Sequence, residues 1–170
     1  MQNDDPEVLT YRRSAWNALV KFQKQGLIRS IGVSNFMVKH LEDLKKHSDV
    51  VPALNQVQWH PKSHKEDLLD YCKSNGIVLQ AYSSLGSSNN ATLRNDETVL
   101  EIAKKLGKST SQVLLRWATQ RDIPIIPKAS KMKHLDENMD LDFTIPEDDM
   151  KTLNNFAQSD RGNWNPDNVI

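Results

Sequence analysis

The sequence predicts an α/β protein in which helices cover a parallel sheet. Three observations support this fold class: helical and strand-like patterns alternate along the chain, the strand-like segments are short, and those segments are almost entirely apolar. Parallel strands have this composition because helices bury them on both faces. The pattern alone leaves two architectures open, an open doubly wound sheet and a (β/α) barrel.

The predicted elements alternate along the first half of the chain. Residues 9–25 have the apolar spacing of an amphipathic helix, and Gly26 is a suitable stop. Ser63 and Glu66 have the spacing of a capping box, which opens a helix N-terminus. The order is a helix at 9–25, a strand at 28–33, a helix carrying Val38, Leu41 and Leu44, a strand at 52–59, a helix from the capping box to Gly76, and a strand at 77–82.

The second half continues the alternation. Thr144 and Glu147 form a second capping-box pattern, with Pro146 at a position that the start of a helix tolerates. The predicted elements are helices at 95–106 and 110–121, a fourth strand at 123–128, a short helix at 131–138 and a last helix from the second capping box. No change in composition marks a linker, so residues 1–170 are interpreted as a single partial domain.

Composition excludes several classes of function. The chain has 170 residues, with 22 Lys+Arg balanced by 22 Asp+Glu, and therefore lacks the basic surplus that favours nucleic acid or an anionic membrane. No apolar run approaches the roughly 20 residues of a membrane span, and the polar, acidic N-terminus is unlike a secretory signal. The single cysteine, Cys72, permits no internal disulfide and is expected to be a buried, inert thiol. We expect a cytoplasmic protein.

Polar side chains gather where the predicted strands end, which is where parallel α/β folds bind ligands. The amides of Asn35 and Gln56 both donate and accept, which suits a carboxamide, and Tyr82 offers an aromatic face for a planar ring. The loop "SSLGSS" and the ammonium of Lys128 suit phosphates. A nicotinamide dinucleotide would use all of these groups. The G-x-G-x-x-G fingerprint after a strand is absent, so such a cofactor would bind to a different architecture.

Five segments carry a family resemblance. The chain resembles the aldo-keto reductase superfamily, NADP-dependent (β/α)8 barrel enzymes of the TIM-barrel type that reduce aldehydes and ketones. The match covers almost the whole chain in the family's order, and the segments are "GLIRSIGVSNF", "LNQVQWHP", "GIVLQAYSSLGS", "SQVLLRWATQRDIPIIPKAS" and "DENMDLDFTIPEDDM". The resemblance implies the carboxyl-terminal half of such a barrel, with about four of its parallel strands, and NADP(H) as cofactor.

The resemblance also assigns roles to individual residues. Ser34, Asn35 and Gln56 would hold the nicotinamide carboxamide, and Tyr82 would stack on the nicotinamide ring. The diphosphate would contact Ser83, Leu85 and Ser87. The remaining cofactor-binding residues would hold the adenosine 2′-phosphate and the adenine: Lys128, Ser130, His134, Glu137 and Asn138.

The sequence departs from the family pattern near the 2′-phosphate. The family commonly has Arg in the register of His134, and histidine is charged only below its pKa. Ala129 replaces a usual hydroxyl, and Ser84 stands where Pro is frequent. The preference for NADP over NAD therefore stays open at this stage.

The family's catalytic Tyr, Asp, Lys and His have no counterpart at equivalent positions, so catalytic residues are predicted to lie upstream and the chain to be inactive in isolation. Tyr11 and Tyr71 fall in predicted helices, and His60 is interpreted as structural. Two other functions remain open: a non-catalytic half-barrel that binds nucleotide or a partner, and an unrelated enzyme using His60 or Asp70. The complete enzyme would act on a small aldehyde or ketone.

Four strands alone would leave two open sheet edges, which would offer a surface for self-association. The tail at 161–170 is expected to form part of a substrate wall, with Trp164 as a candidate pocket aromatic.

Overall fold

The computed structural model of the chain describes residues 6–86 and 92–158. Within them, the elements follow the predicted order with two exceptions: the strand predicted at 28–33 forms only at Val33–Ser34, and the predicted fourth strand is not a regular strand. The elements are α1 (Pro6–Lys24), β1 (Val33–Ser34), α2 (Val38–His47), β2 (Leu54–Gln58), α3 (Glu66–Ser74), β3 (Val78–Tyr82), α4 (Glu97–Leu106), α5 (Thr110–Thr119), α6 (Met132–Met139) and α7 (Glu147–Asn154).

The sheet has three strands in the order β1-β2-β3. β1 and β2 are parallel, with Val33 opposite Asn55 and Ser34 opposite Gln56. The α/β fold class with a partial parallel sheet is therefore confirmed. Ala53 N–H donates to Ile31 O at 2.9 Å, which extends the contact between the two segments before β1 begins.

The predicted fourth strand is reduced to a single parallel bridge between Ala81 and Ile125. Ala81 N–H donates to Pro124 O at 2.8 Å, and Ile126 N–H donates to Ala81 O at 3.2 Å. The segment contains Pro124 and Pro127, which have no N–H to give to a ladder, so regular pairing stops on either side of the bridge.

Several helix ends follow the sequence signals. α4 ends at Gly107, whose φ of 63° is left-handed, and Asp96 accepts a bond from Thr98 N at its start. α5 opens with a complete capping box between Ser109 and Gln112. Gly76 also has a left-handed φ, 68°, just after α3.

Both capping boxes predicted from the sequence are wrong. Ser63 pairs with His60 through two backbone hydrogen bonds, so α3 begins at Glu66 without a side-chain cap. The backbone of Ile145 is held by the Gln120 side chain, whose Oε1 accepts from Ile145 N and whose Nε2 donates to Ile145 O, both at 2.9 Å. α7 begins at Glu147, after Pro146 with a ψ of 151°, and has no side-chain cap.

The chain divides into two compact units. In the described residues, the first unit comprises 6–57 and 65–79, and the second 58–64, 80–86 and 92–158. The interpretation of 1–170 as one domain stays a prediction, because a compact unit need not fold alone.

The core of the first unit contains Trp16, Ile31 and Leu44, all buried. Trp16 Nε1 donates to Ser48 Oγ at 3.0 Å, so the indole N–H of this core residue is paired. Cys72 is fully buried, as expected, and burial raises the pKa of its thiol to about 11, while a hydrogen bond with Asn55 acts in the opposite direction.

The core of the second unit is built around Trp59 and Trp117, whose rings stack with centroids 6.4 Å apart. The guanidinium of Arg121 lies over both rings, 5.6 Å from the Trp59 centroid and 4.9 Å from that of Trp117. Gln112 Nε2 donates to Asp140 O at 2.9 Å, which joins α5 to the end of α6. None of the helices in the described ranges is both long and apolar enough to cross a membrane.

Candidate cofactor-binding site

In the first unit, the end of β1 forms a compact polar turn. Ser34 Oγ and Asn35 N–H both donate to the main-chain oxygen of Gln56, each at 2.9 Å. Asn35 Nδ2 donates to Ser34 Oγ at 3.0 Å, which fixes the orientation of the amide. Asn35 has a left-handed φ of 60°, a conformation that Asn tolerates better than most residues. The structure therefore brings Ser34, Asn35 and Gln56 together.

Gln56 is half-buried, between the fully buried Asn55 and the buried Val57. Because side chains alternate along a strand, Gln56 lies on the sheet face opposite to Asn55 and Val57. This placement leaves a partly accessible amide beside the Ser34–Asn35 turn.

Asn55 is a residue of this site that sequence reasoning did not assign. Its Oδ1 accepts from Phe36 N–H at 3.3 Å, and its Nδ2 donates to Phe36 O at 2.8 Å. Phe36 follows the Ser34–Asn35 turn directly, so Asn55 holds the turn in place from below. The available signal was an amide residue inside an apolar strand. Burying such a group without hydrogen-bond partners is costly, so its position indicates a structural role.

In the second unit, a cavity of about 450 Å³ lies beside the end of β3. This volume is within the range of small-molecule sites. Among the described residues, two cationic side chains and two hydroxyls line the cavity, and no acidic residue does. The lining residues are Ser83, Ser84, Leu85, Gly86, Arg94, Ile126, Pro127 and Lys128.

The wall formed by residues 83–86 is a tight turn. Gly86 N–H donates to Ser83 O at 2.8 Å, and both residues have left-handed φ values, 78° for Gly86 and 52° for Ser83. Ser84 is buried, and its Oγ has no hydrogen-bond partner in the described part of the chain. Buried hydroxyls normally have a hydrogen-bond partner, so the O–H of Ser84 is available to donate to a bound group.

The predicted cofactor residues divide between the cavity and its surroundings. Ser83, Leu85 and Lys128 line the cavity, whereas Tyr82, Ser130, His134, Glu137 and Asn138 are not among its lining residues. Ser87, like Trp164, lies outside the described residues.

Three of the predicted adenosine-binding residues lie on α6. His134 is exposed, Asn138 is buried, and Glu137 lies 3.9 Å from Lys133 as an ion pair one turn away. Lys128 and Ser130 are exposed in the segment that precedes this helix. All five residues belong to the second unit.

Arg94 is a cationic cavity residue that the sequence analysis did not assign to the site. It lies in the segment 83–96, which reads as an ordinary loop because Ser, Asn and Gly dominate it. The available signal was a lone Arg beside the apolar Leu93, which the structure buries.

The other residues considered as catalytic candidates lie in a buried side-chain contact or on helices. His60 is buried, and its Nε2 lies 3.0 Å from Gln58 Nε2, whereas Asp70 is exposed on α3. Tyr11 and Tyr71 lie in α1 and α3, as predicted. Residues 6–86 and 92–158 contain no group of three or more His, Cys, Asp or Glu side chains suited to a metal ion.

Comparisons with known proteins assign the chain to a protein family. A profile of the Aldo/keto reductase family matches residues 1–158. The glyoxal reductase of Bacillus subtilis (strain 168) is 41% identical over 159 residues, which cover 93% of this chain and 56% of that protein. The NAD(P)H-dependent D-xylose reductase I,II of Candida tropicalis is 39% identical, over 91% of this chain and 52% of that protein.

A solved structure agrees. The crystal structure of MGS-M4, an aldo-keto reductase enzyme from a Medee basin deep-sea metagenome library, matches with a TM-score of 0.84 at 34% identity, over 92% of this chain and 60% of that one. The chain therefore belongs to the aldo/keto reductase family. It spans about half the length of the curated relatives that it matches.

Proposed function

We propose that this chain supplies cofactor-binding residues to an NADP(H)-dependent reductase of aldehydes and ketones. The observation that carries the proposal is the cavity of the second unit, where Lys128, two hydroxyls and a main-chain turn lie at the wall and the described lining residues include no acidic one. Such a lining attracts phosphate groups, because cations and hydroxyls donate to phosphate oxygens while carboxylates would repel them. The relatives' names, glyoxal reductase and D-xylose reductase, support the reaction class.

Each unit contributes its own groups. In the first unit, the oriented amide of Asn35 and the half-buried amide of Gln56 would bind the nicotinamide carboxamide, with Ser34 fixing the turn. In the second, Tyr82 would stack on the nicotinamide ring, and Ser83, Leu85 and Ser87 would bind the diphosphate. Lys128 and Ser130 would bind the 2′-phosphate, and His134, Glu137 and Asn138 the adenosine.

When bound, the nicotinamide supplies a hydride to the carbonyl carbon. The residues of this chain orient and bind the cofactor, and none of them is assigned the proton transfer. We therefore propose that the family's Tyr, Asp, Lys and His act from outside this chain in the complete enzyme, and that the chain alone has no reductase activity. Its substrate in the complete enzyme would be a small aldehyde or ketone, and its location the cytoplasm.

Two measurements on the purified chain test these statements. First, heating with excess NADPH is expected to raise the midpoint of a cooperative melt, because a ligand at about 100 times its dissociation constant stabilises the folded state by about 2.7 kcal/mol. A melting midpoint that does not change with NADPH contradicts the cofactor assignment.

Second, NADPH oxidation is followed by absorbance with glyoxal as the aldehyde. We expect no turnover above the buffer rate. Turnover by the pure chain, proportional to its concentration, contradicts the placement of the acid catalyst outside it, while leaving the cofactor assignment intact.

A further inference from the structure

The wall of the cavity in the second unit includes a cationic side chain to which the proposed function gives no role. Arg94 lines it together with Lys128, so two positive side chains face one space in a chain whose formal net charge is zero. Arg94 is half-buried at this wall. Two cations that share a cavity repel each other, and an anion between them removes that repulsion.

The backbone at Arg94 is held on both sides. Leu93 is buried, and Asp96 N–H donates to Leu93 O at 3.4 Å. Asp96 caps α4 through its bond to Thr98 N and is also paired with Lys62. Asp96 is therefore engaged with the start of α4 and with Lys62, and the anchored backbone places Arg94 at the cavity wall.

Ser84 provides a second, independent observation. Only 3% of the residue is exposed, it lines the same cavity, and its Oγ has no partner in the described ranges. Leaving a buried hydroxyl unpaired is unfavourable. A phosphate oxygen would accept its proton and remove that cost.

We propose, on the basis of the function proposed above, that Arg94 is a further cofactor-binding residue that holds the diphosphate of the dinucleotide, and that Ser84 donates to the same group. The Ser83–Gly86 turn lines the cavity beside these two side chains, and main-chain turns with left-handed residues are suited to diphosphate oxygens. A guanidinium adds a planar, two-pronged donor that matches two phosphate oxygens. Lys128, on the other segment of the wall, is left for the 2′-phosphate.

This assignment makes a distinctive prediction, since NADH and NADPH share the diphosphate and differ only in the 2′-phosphate. Arg94→Gln is expected to weaken the binding of both dinucleotides by the same factor, about tenfold or more. Lys128→Gln is expected to weaken NADPH more than NADH. Arg94→Lys keeps the charge but loses the two-pronged geometry, and we expect an intermediate loss.

The experiment is a titration of each variant with NADPH and with NADH, followed by nicotinamide fluorescence, with inorganic diphosphate as a competitor. Arg29→Gln is the matched control: Arg29 is exposed in the first unit, and the substitution removes the same charge. We expect this control to bind both dinucleotides like the unmodified chain. Ser84→Ala is expected to bind both about threefold or more weakly without loss of stability, because its hydroxyl has no partner to lose.

The outcomes separate the two proposals. If Arg94→Gln binds both dinucleotides as tightly as the unmodified chain does, the role of Arg94 is overturned and the cofactor assignment stands. A loss confined to NADPH also overturns the role, because it moves Arg94 to the 2′-phosphate. A chain that binds neither dinucleotide nor diphosphate contradicts both proposals.

Discussion

The side chain of Asn55 holds Phe36 at both of its backbone polar groups, accepting from its N–H at 3.3 Å and donating to its carbonyl oxygen at 2.8 Å. This pair of bonds resembles the pairing between neighbouring strands, but one partner is a side chain. The segment after β1 is thereby fixed to β2 beyond the point where regular strand pairing ends. The turn that carries Ser34 and Asn35 is consequently supported by a residue that touches no proposed ligand.

Asn55→Ala is expected to destabilise the chain by about 2–4 kcal/mol, because it leaves a cavity and removes the partners of two backbone groups. Denaturant unfolding followed by circular dichroism measures the loss. Asn17→Ala, the same truncation on an exposed position of α1, is the control and should change stability by less than about 0.5 kcal/mol. Equal effects at the two positions would contradict the supporting role of Asn55.

Gly32 is required by close packing rather than by backbone conformation. A Cβ at this position would lie 2.7 Å from Leu54 O and 3.2 Å from Leu54 Cβ, so β1 and β2 would have to separate. We expect Gly32→Ala to cost about 1–3 kcal/mol in thermal or denaturant unfolding.

Gly26 offers the matched comparison, since its φ is +74° and nothing lies within 4 Å of an added Cβ. Gly26→Ala should cost about 1–2 kcal/mol through conformation alone. Asn tolerates the left-handed region, so Gly26→Asn should recover part of that loss. Gly32→Asn should recover nothing, and a recovery there would refute the packing explanation.

The ion pair between Arg13 and Asp43 predicts a pH-dependent contribution to stability. The hydrogen bond from Arg13, at 2.7 Å, holds the pKa of Asp43 below its ordinary value, with smaller favourable effects of His47 and Arg12 and an opposing effect of burial. A carboxyl with a lowered folded-state pKa stabilises the fold fully above its unfolded-state pKa of about 4. The contribution then disappears as the pH falls through the folded value.

Asp43→Asn should therefore lower stability near neutral pH by up to about 1 kcal/mol, the usual range for a pair that is partly exposed. The difference from the unmodified chain should shrink as the pH falls below about 4. Denaturant midpoints across this range measure it, with the exposed Asp49→Asn as control. A difference that grows toward acid would be the wrong sign for this explanation.

The thiol of Cys72 should be unreactive in the folded chain. With a pKa of about 11 and no exposed surface, it carries little thiolate near neutral pH and has no access to a reagent. A chromogenic disulfide reagent should therefore react on mixing with the denatured chain and many times more slowly with the native one. Rapid reaction of the native chain at one equivalent would contradict the burial of this side chain.

The sequence predicts the fold class and most elements because periodicity reports burial directly. Helix α4 ends just before Gly107, as predicted, since a residue without a Cβ adopts the left-handed conformation there without steric cost. The prediction of a fourth strand was wrong because the apolar run contains Pro124 and Pro127, which have no N–H to donate. A pattern of apolar residues does not reveal this loss of hydrogen bonds.

Tertiary contacts explain the other errors. The Thr144–Glu147 pattern is a good local capping signal, but Gln120, 25 residues earlier, occupies the backbone of Ile145. Asn55 and Arg94 were missed for the same reason, because their roles depend on Phe36 and on a cavity wall that no local spacing reveals.

The tryptophans of the described residues divide cleanly between the two units. Trp16 is packed in the first, while Trp59 and Trp117 are stacked under Arg121 in the second. Near-ultraviolet circular dichroism depends on such fixed packing of aromatic rings. The substitution Trp16→Phe would thus remove the contribution of the first unit's core tryptophan from the spectrum. The tryptophans therefore serve as separate optical reporters for the two cores.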